Sequence, residues 1–219
     1  MADVIKVHSF VYYLTEVEGI SWRHEDYQTS KIVHAIKGDQ INGYFEVTVG
    51  GRSRTFTRHN IGEFIPLMIN TVANRLKAAV SGEFALVPIP NSNATATDRD
   101  EFPTLAFARG VVGAIGSRAI AVPALRWRRA KQSARKGGSR NPQALFENLV
   151  IVEKPEKPVV IFDDVITTGA QMIAASRRLE AAGAQLQCGI VIGRATKTQR
   201  PKMMGWAEED VYIAEHPIY

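Results

Sequence analysis

The sequence predicts an α/β protein built on a mostly parallel sheet with helices on both faces, preceded by a smaller α+β appendage. Three observations carry that expectation. From Phe84 onward, short apolar runs alternate with segments of helical periodicity, the order that generates βα units. Two of those runs, Ala85–Pro90 and Pro158–Phe162, are apolar at every position, as strands covered on both faces must be. Before Gly82 the pattern differs, and alternating residues flank a Gly50-Gly51 pair that reads as a hairpin turn. The division expected is residues 1–82 as the appendage and residues 83–219 as the main domain.

Taken in order, Val4 to Leu14 is β-rich, and Gly43 to Val49 alternates as a half-buried strand, with Arg54 to Thr57 returning after the glycine pair. Asn60 is placed as the N-cap of a helix carrying Ile65, Leu67, Met68, Val72 and Leu76, with Gly82 near its end. The apolar strand ending Val87-Pro88-Ile89-Pro90 gives way to a polar loop, Asn91 to Asp100. A helix over Phe102–Ile115 and a strand over Arg118–Leu125 follow. Asn148 to Val152 reads as a short strand and Pro158 to Phe162 as a buried one. Gln171 to Ala182 reads as a helix closed by Gly183, and Leu186 to Ile192 as a last strand. In open sheets of this kind, ligands bind beyond the carboxyl ends of the strands.

The 219 residues are enough for one full core, and 45% hydrophobic with 22% charged residues is the balance of an ordinary globular chain. No apolar run approaches the roughly 20 residues of a membrane span. The segment Met1–Lys6 lacks the layout of a secretory signal. The one cysteine, Cys188, excludes an intrachain disulfide and a cysteine-rich zinc site, so a cytoplasmic location is expected. Net charge is +5, and Arg126, Arg128, Arg129, Lys131, Arg135, Lys136 and Arg140 fall in one stretch without an acid. Such a stretch attracts anions of any kind.

The segment that carries chemistry is Val159-Val160-Ile161-Phe162-Asp163-Asp164-Val165-Ile166-Thr167-Thr168-Gly169. Buried apolar residues deliver two adjacent carboxylates to the sheet edge, and a turn with two threonines and a glycine then opens a helix. Backbone N–H groups at a helix start point at a phosphate, and the helix dipole favours its charge. Thr167 and Thr168 add hydroxyl donors, and Gly169 permits close backbone approach. Asp163 and Asp164 stand where they can accept hydrogen bonds from vicinal sugar hydroxyls. Acids at one end and phosphate donors at the other measure out a ribose 5-phosphate.

This string resembles the 5-phosphoribosyl-1-pyrophosphate (PRPP) motif of type I phosphoribosyltransferases: an apolar strand, two acids, two intervening residues, Thr/Ser-Thr-Gly and a helix. A looser resemblance extends over about Phe84 to Arg194, and residues 83–219 would then form the phosphoribosyltransferase-like domain with a C-terminal hood segment. The resemblance implies that Asp163 and Asp164 hold the ribose hydroxyls, and that Val165, Ile166, Thr167, Thr168 and Gly169 cradle the 5-phosphate. It implies Mg²⁺, held largely by substrate with Asp163 or Asp164 assisting directly or through water. It places Asn91, Ser92 and Asn93 in the pyrophosphate loop, and Lys131, Arg135 and Lys136 on the mobile catalytic loop. The implied partners are PRPP and a nitrogenous acceptor, a nucleobase, and the implied assembly is a homodimer. Within the family, Val87-Pro88-Ile89-Pro90, Gln132, Arg140-Asn141 and Phe146 resemble the ComF-type pattern. Arg140 and Asn141 are adjacent here where that pattern separates them, and its four-cysteine zinc module is absent.

Competing readings are weaker. A helix cap needs one acid and no threonine pair. A Walker B strand needs a G-x-x-x-x-G-K-[ST] partner, which does not occur, and a phosphatase-type nucleophile needs acids one residue apart. Gly110, Gly113 and Gly116 read as close helix packing rather than a dinucleotide fingerprint. His8, His24, His34, His59 and His216 show no metal-ligand spacing. Trp206, Tyr212 and Tyr219 are candidates for stacking on a base. The rival function is a non-catalytic sensor of PRPP or a nucleotide, with the basic stretch contacting nucleic acid.

Overall fold

Eleven consecutive residues, Val4–Leu14, form β1, and they are buried on both sides from Val7 to Tyr12. That continuous burial belongs to the inside of a sheet. In the computed structural model, which describes residues 4–15, 18–98, 100–132, 137–139 and 141–212, β1 lies there. The chain continues through α1 (His24–Ile36), a hairpin of β2 (Tyr44–Val49) and β3 (Arg52–Thr57), a single 3₁₀ turn (Ile61–Glu63) and α2 (Phe64–Ala79). Then come β4 (Phe84–Pro88), α3 (Pro103–Ile115), β5 (Ala119–Ala121), β6 (Leu125–Trp127), α4 (Pro142–Asn148) and β7 (Leu149–Ile151). The last elements are β8 (Val159–Ile166), α5 (Ala170–Ala181), β9 (Leu186–Thr196) and β10 (Met204–Tyr212).

Six strands make the central sheet in the order β10-β1-β9-β8-β4-β5. Every neighbouring pair is parallel except β1 with β10. Alternate residues of the inner strands feed two cores. Phe84, Leu86, Val160, Phe162, Ile190 and Ile192 face one side, with α1, α2, α3 and the hairpin over them. Ala85, Val87, Val159, Ile161 and Val191 face the other, under α5, α4 and the small β6–β7 ribbon. The sheet is thus mixed, mostly parallel and flanked by helices.

The N-terminal expectation needs one correction. Residues 1–82 do not stand apart from the sheet: β1 pairs with β9 through Val7–Gly189 to Leu14–Thr196, and with β10 from Val4–Tyr212 to Val11–Met204. Only α1, the hairpin and α2 form a cover, closed by the Phe45, Phe56 and Phe64 rings with centroids 5.1–5.4 Å apart. The Gly50-Gly51 turn has positive φ at both residues, as a tight hairpin requires.

Three local expectations also change. Asn60 does not cap α2; its Oδ1 accepts from the Thr57 backbone N–H at 2.7 Å, which ties off the hairpin ahead of the 3₁₀ turn. The strand expected over Arg118–Leu125 is two strands in two sheets, because β5 ends at Ala121 and Leu125 starts the β6–β7 ribbon. β8 and β9 run on to Ile166 and Thr196, beyond their expected ends at Phe162 and Ile192.

Two glycines set how closely helices approach. A side chain at Gly110 would come within 2.6 Å of Ile69, so α2 and α3 pack backbone to side chain there. One at Gly193 would come within 2.8 Å of Val33, which lets α1 cross the sheet beside Val165. Among the described residues no helix is long and apolar enough to cross a membrane.

Candidate active site at the carboxyl edge of β8

Asp163 and Asp164 are the fifth and sixth residues of β8, inside the strand and still in register with β9. The turn that follows is only Thr167-Thr168-Gly169. Gly169 adopts φ +79°, the left-handed conformation, and stands at the N-cap of α5, where it has no side chain with which to cap the first turn. Val165 and Ile166 have core side chains, so they can offer a ligand backbone groups alone. The Thr168 hydroxyl lies 3.4 Å from the Ala170 backbone N–H. The chain at this point is a helix start behind a glycine turn, with one long side-chain contact to its first N–H, a geometry that favours an anion.

The two carboxylates differ. Asp163 is 7% exposed, and its Oδ1 accepts from the Asp164 backbone N–H at 2.9 Å. Burial, reinforced by the neighbouring Asp164 charge and only partly offset by Lys37, holds its pKa well above the ordinary carboxylate range. Asp164 is partly exposed and paired: Lys37 Nζ lies 2.9 and 3.1 Å from its two oxygens. Lys37 immediately follows α1, and nothing in the sequence marked it as a site residue. Only a tertiary contact across the sheet reveals it.

The neighbouring loops converge on the same edge. Ile89 N–H donates to Phe162 O at 2.8 Å, so the loop that starts after Pro90 leaves the sheet beside Asp163. Trp127, fully buried, donates its indole N–H to the carbonyls of Pro90 and Asn91 at 3.1 and 2.9 Å, pinning the start of Asn91-Ser92-Asn93. Lys131 N–H donates to Ser92 O at 3.0 Å, and its ammonium lies 4.8 Å from the Trp127 ring centre. Burial lowers the Lys131 pKa, and the charge of Asp163 opposes that shift. The structure therefore brings together Asp163, Asp164, Thr167–Gly169, Asn91–Asn93 and Lys131. Arg135, Lys136 and Arg140 lie outside the described residues, while Gly137 and Ser139 are described and Ser139 lines the depression at the turn with Leu145.

The aromatic candidates do not join this group. Trp206 packs against Phe10, ring centres 5.3 Å apart, with the Arg75 guanidinium over its face. Tyr212 sits at the end of β10 that pairs with Val4, the opposite edge of the sheet, and donates to Asp210. Tyr219 is outside the described residues. Arg126, expected in the basic loop, is instead buried in β6, stacked on Phe102 and donating to Asp100 O at 3.1 Å.

As for metals, no cluster of three or more His, Cys, Asp or Glu occurs among the described residues. Two adjacent carboxylates are hard oxygen donors, suited to a Mg²⁺ ion that keeps most of its ligands from water or substrate phosphates.

Compared with known proteins, the chain matches no family model, and no curated relative matches it. Solved structures do match. An orotate phosphoribosyltransferase from Aeropyrum pernix is 16% identical, with TM-score 0.38, over 76% of this chain and 83% of that one. An adenine phosphoribosyltransferase from Saccharomyces cerevisiae is 14% identical, with TM-score 0.40, over 75% and 89%. A hypoxanthine phosphoribosyltransferase from Staphylococcus aureus is 13% identical, with TM-score 0.39, over 63% and 68%.

Proposed function

We propose that the chain is a type I phosphoribosyltransferase, moving the 5-phosphoribosyl group of PRPP to a nitrogenous acceptor, a nucleobase, with release of pyrophosphate. The observation that carries this reading is β8 itself. One strand presents a buried and a partly exposed carboxylate, and five residues after the second a left-handed glycine starts a helix. Asp163 and Asp164 accept the ribose hydroxyls, and the N–H groups from Thr167 into α5 take the 5-phosphate.

In the reaction the bond from ribose C1 to pyrophosphate oxygen breaks and a bond from C1 to acceptor nitrogen forms. The acceptor's N–H proton is lost to pyrophosphate or water. Positive charge builds on the ribose and negative charge on the leaving group. Lys131 and the Asn91–Asn93 loop stand where they can receive that negative charge, joined in this reading by Arg135 and Lys136. Mg²⁺ would neutralise the pyrophosphate, with Asp163 and Asp164 as its protein donors, directly or through water.

The test is thermal unfolding with PRPP and Mg²⁺, which should stabilise the protein by preferential binding to the folded state. Asp163→Asn combined with Asp164→Asn should remove that gain and leave a folded protein. Pyrophosphate release should then follow with at least one base from a panel. Unchanged ligand stabilisation in the double variant overturns the site. Stabilisation without pyrophosphate release from any base moves the reading to a sensor of PRPP or nucleotide.

A further inference from the structure

Lys37 is the one cation in direct contact with the acid pair among the described residues, and it comes from the N-terminal cover rather than from the strands that build the site. Its position is fixed. Lys37 N–H donates to the Val33 and His34 carbonyls, Gly38 and Asp39 continue the same hydrogen-bonded turn, and Val33 is seated on Gly193 beside Val165. The ammonium is thus delivered to Asp164 by a packed helix. Both side chains of the pair are only about a quarter exposed, 26% and 27%, so the contact is less screened than an ordinary surface ion pair.

We infer that Lys37 is a built-in competitor for Asp164: it occupies the carboxylate in the free protein and must leave when a ligand's hydroxyls or a divalent cation take that position. This rests on the phosphoribosyl reading of the site. A carboxylate has room for several donors, but the Lys37 ammonium lies against both oxygens, where vicinal hydroxyls would have to lie. A ligand that binds by its phosphate alone uses the Thr167–Gly169 turn and leaves the pair intact. A ligand that brings ribose hydroxyls exchanges the ion pair for its own hydrogen bonds and frees the end of α1. Occupancy of the sugar subsite is thereby passed to α1, and through Gln28, whose side chain accepts from the Glu46 backbone N–H at 2.6 Å, to the β2–β3 hairpin. The same contact gives the free protein a counter-ion for two adjacent carboxylates, of which Asp163 is buried without a direct cation partner among the described residues.

Two measurements test this. In titration calorimetry, Lys37→Met should bind ribose 5-phosphate about 3- to 10-fold more tightly than wild type, the scale of one partly screened ion pair. Affinity for inorganic phosphate should stay level or fall, and Lys37→Arg should restore wild-type behaviour. In hydrogen exchange on the wild-type protein, ribose 5-phosphate should speed exchange at the Lys37, Gly38 and Asp39 amides while slowing it around Thr167–Gly169. Inorganic phosphate should do only the latter. Weaker or unchanged ribose 5-phosphate binding in Lys37→Met, or slower exchange at the α1 end, overturns the competitor role and leaves the phosphoribosyl site standing. Failure of ribose 5-phosphate to protect Thr167–Gly169 at all overturns both.

Discussion

Asp163-Asp164 on β8 and Glu208-Glu209 on β10 are both adjacent acids on strands of one sheet, and their surroundings are opposite. Glu208 meets Lys6 at 2.9 Å, His8 at 3.4 Å and Arg75 at 3.8 Å. Glu209 meets Arg194 at 3.0 Å and also Arg200. The Lys6 hydrogen bond leads in pulling the Glu208 pKa down. Burial pushes the Glu209 pKa up, but the hydrogen bond from Arg200 and the charges of Arg194 and Arg200 outweigh it, so it too lies low. Among the described residues Asp163 has comparable company only at a distance, and its pKa goes the other way. An edge strand whose carboxylates are over-matched with cations is built to hold together. A strand end whose carboxylates are under-matched keeps capacity for outside donors, which in the proposed reading are hydroxyls and metal.

Three variants would break or sharpen that contrast. The largest effect is expected from Glu209→Gln, which strands the mostly buried Arg194 and uncouples Arg200. A loss of about 2 kcal/mol is expected, below the range for fully buried pairs because Arg200 is partly screened by solvent. Calorimetric Tm at pH 7 should fall by about 4–8 °C. The folded-state pKa of Glu209 is depressed, so its contribution is present above the ordinary glutamate value and lost as pH falls through the folded one. The gap between variant and wild type should therefore close in acid.

Asp163→Asn should do the reverse. With the folded pKa raised, the folded protein keeps a proton that the unfolded chain has released, and stability from this group falls as pH rises above about 3.9. Asparagine removes that penalty, so Tm at pH 7 should rise by about 2–4 °C, and the gain should vanish below about pH 4. A variant less stable than wild type at neutral pH would show that Asp163 is as well matched as Glu209. The smallest effect belongs to Glu208→Gln, where Glu208 and its nearest partner Lys6 are both solvent-exposed: a Tm change under about 2 °C, removed by about 1 M salt.

The sequence made the βα half legible because its signals are local. Apolar runs, the two acids, the threonine pair and Gly169 lie within one stretch, and β4 and the first four residues of β8 are apolar without interruption. What escaped it depends on distance in the chain. The Lys37–Asp164 pair joins an isolated lysine after a helix to a strand more than a hundred residues later, and no periodicity marks it. β1 read correctly as a strand, but its neighbours come from the far end of the chain, so its place in the sheet was invisible. Helix α1 has no apolar stripe to announce it, because its buried face includes Asp26, Gln28 and Thr29, polar residues of which Asp26 and Gln28 find tertiary partners in Gln199 and the Glu46 backbone. Trp206 and Tyr212 looked free only because β10 had not been recognised as a strand.

The position of β1 has a consequence for how the protein is made. Val7 needs Gly189 beside it and Val4 needs Tyr212, so a strand synthesised early has no permanent neighbour until the C-terminal two strands exist. Until then an eleven-residue segment rich in valine and tyrosine is without its ladder partners, the kind of segment that pairs with copies of itself. Pairings this distant also form slowly, because the intervening chain must close a large loop first. Chains interrupted before β9 would keep the Thr167–Gly169 turn after β8 and still lack the middle of their sheet.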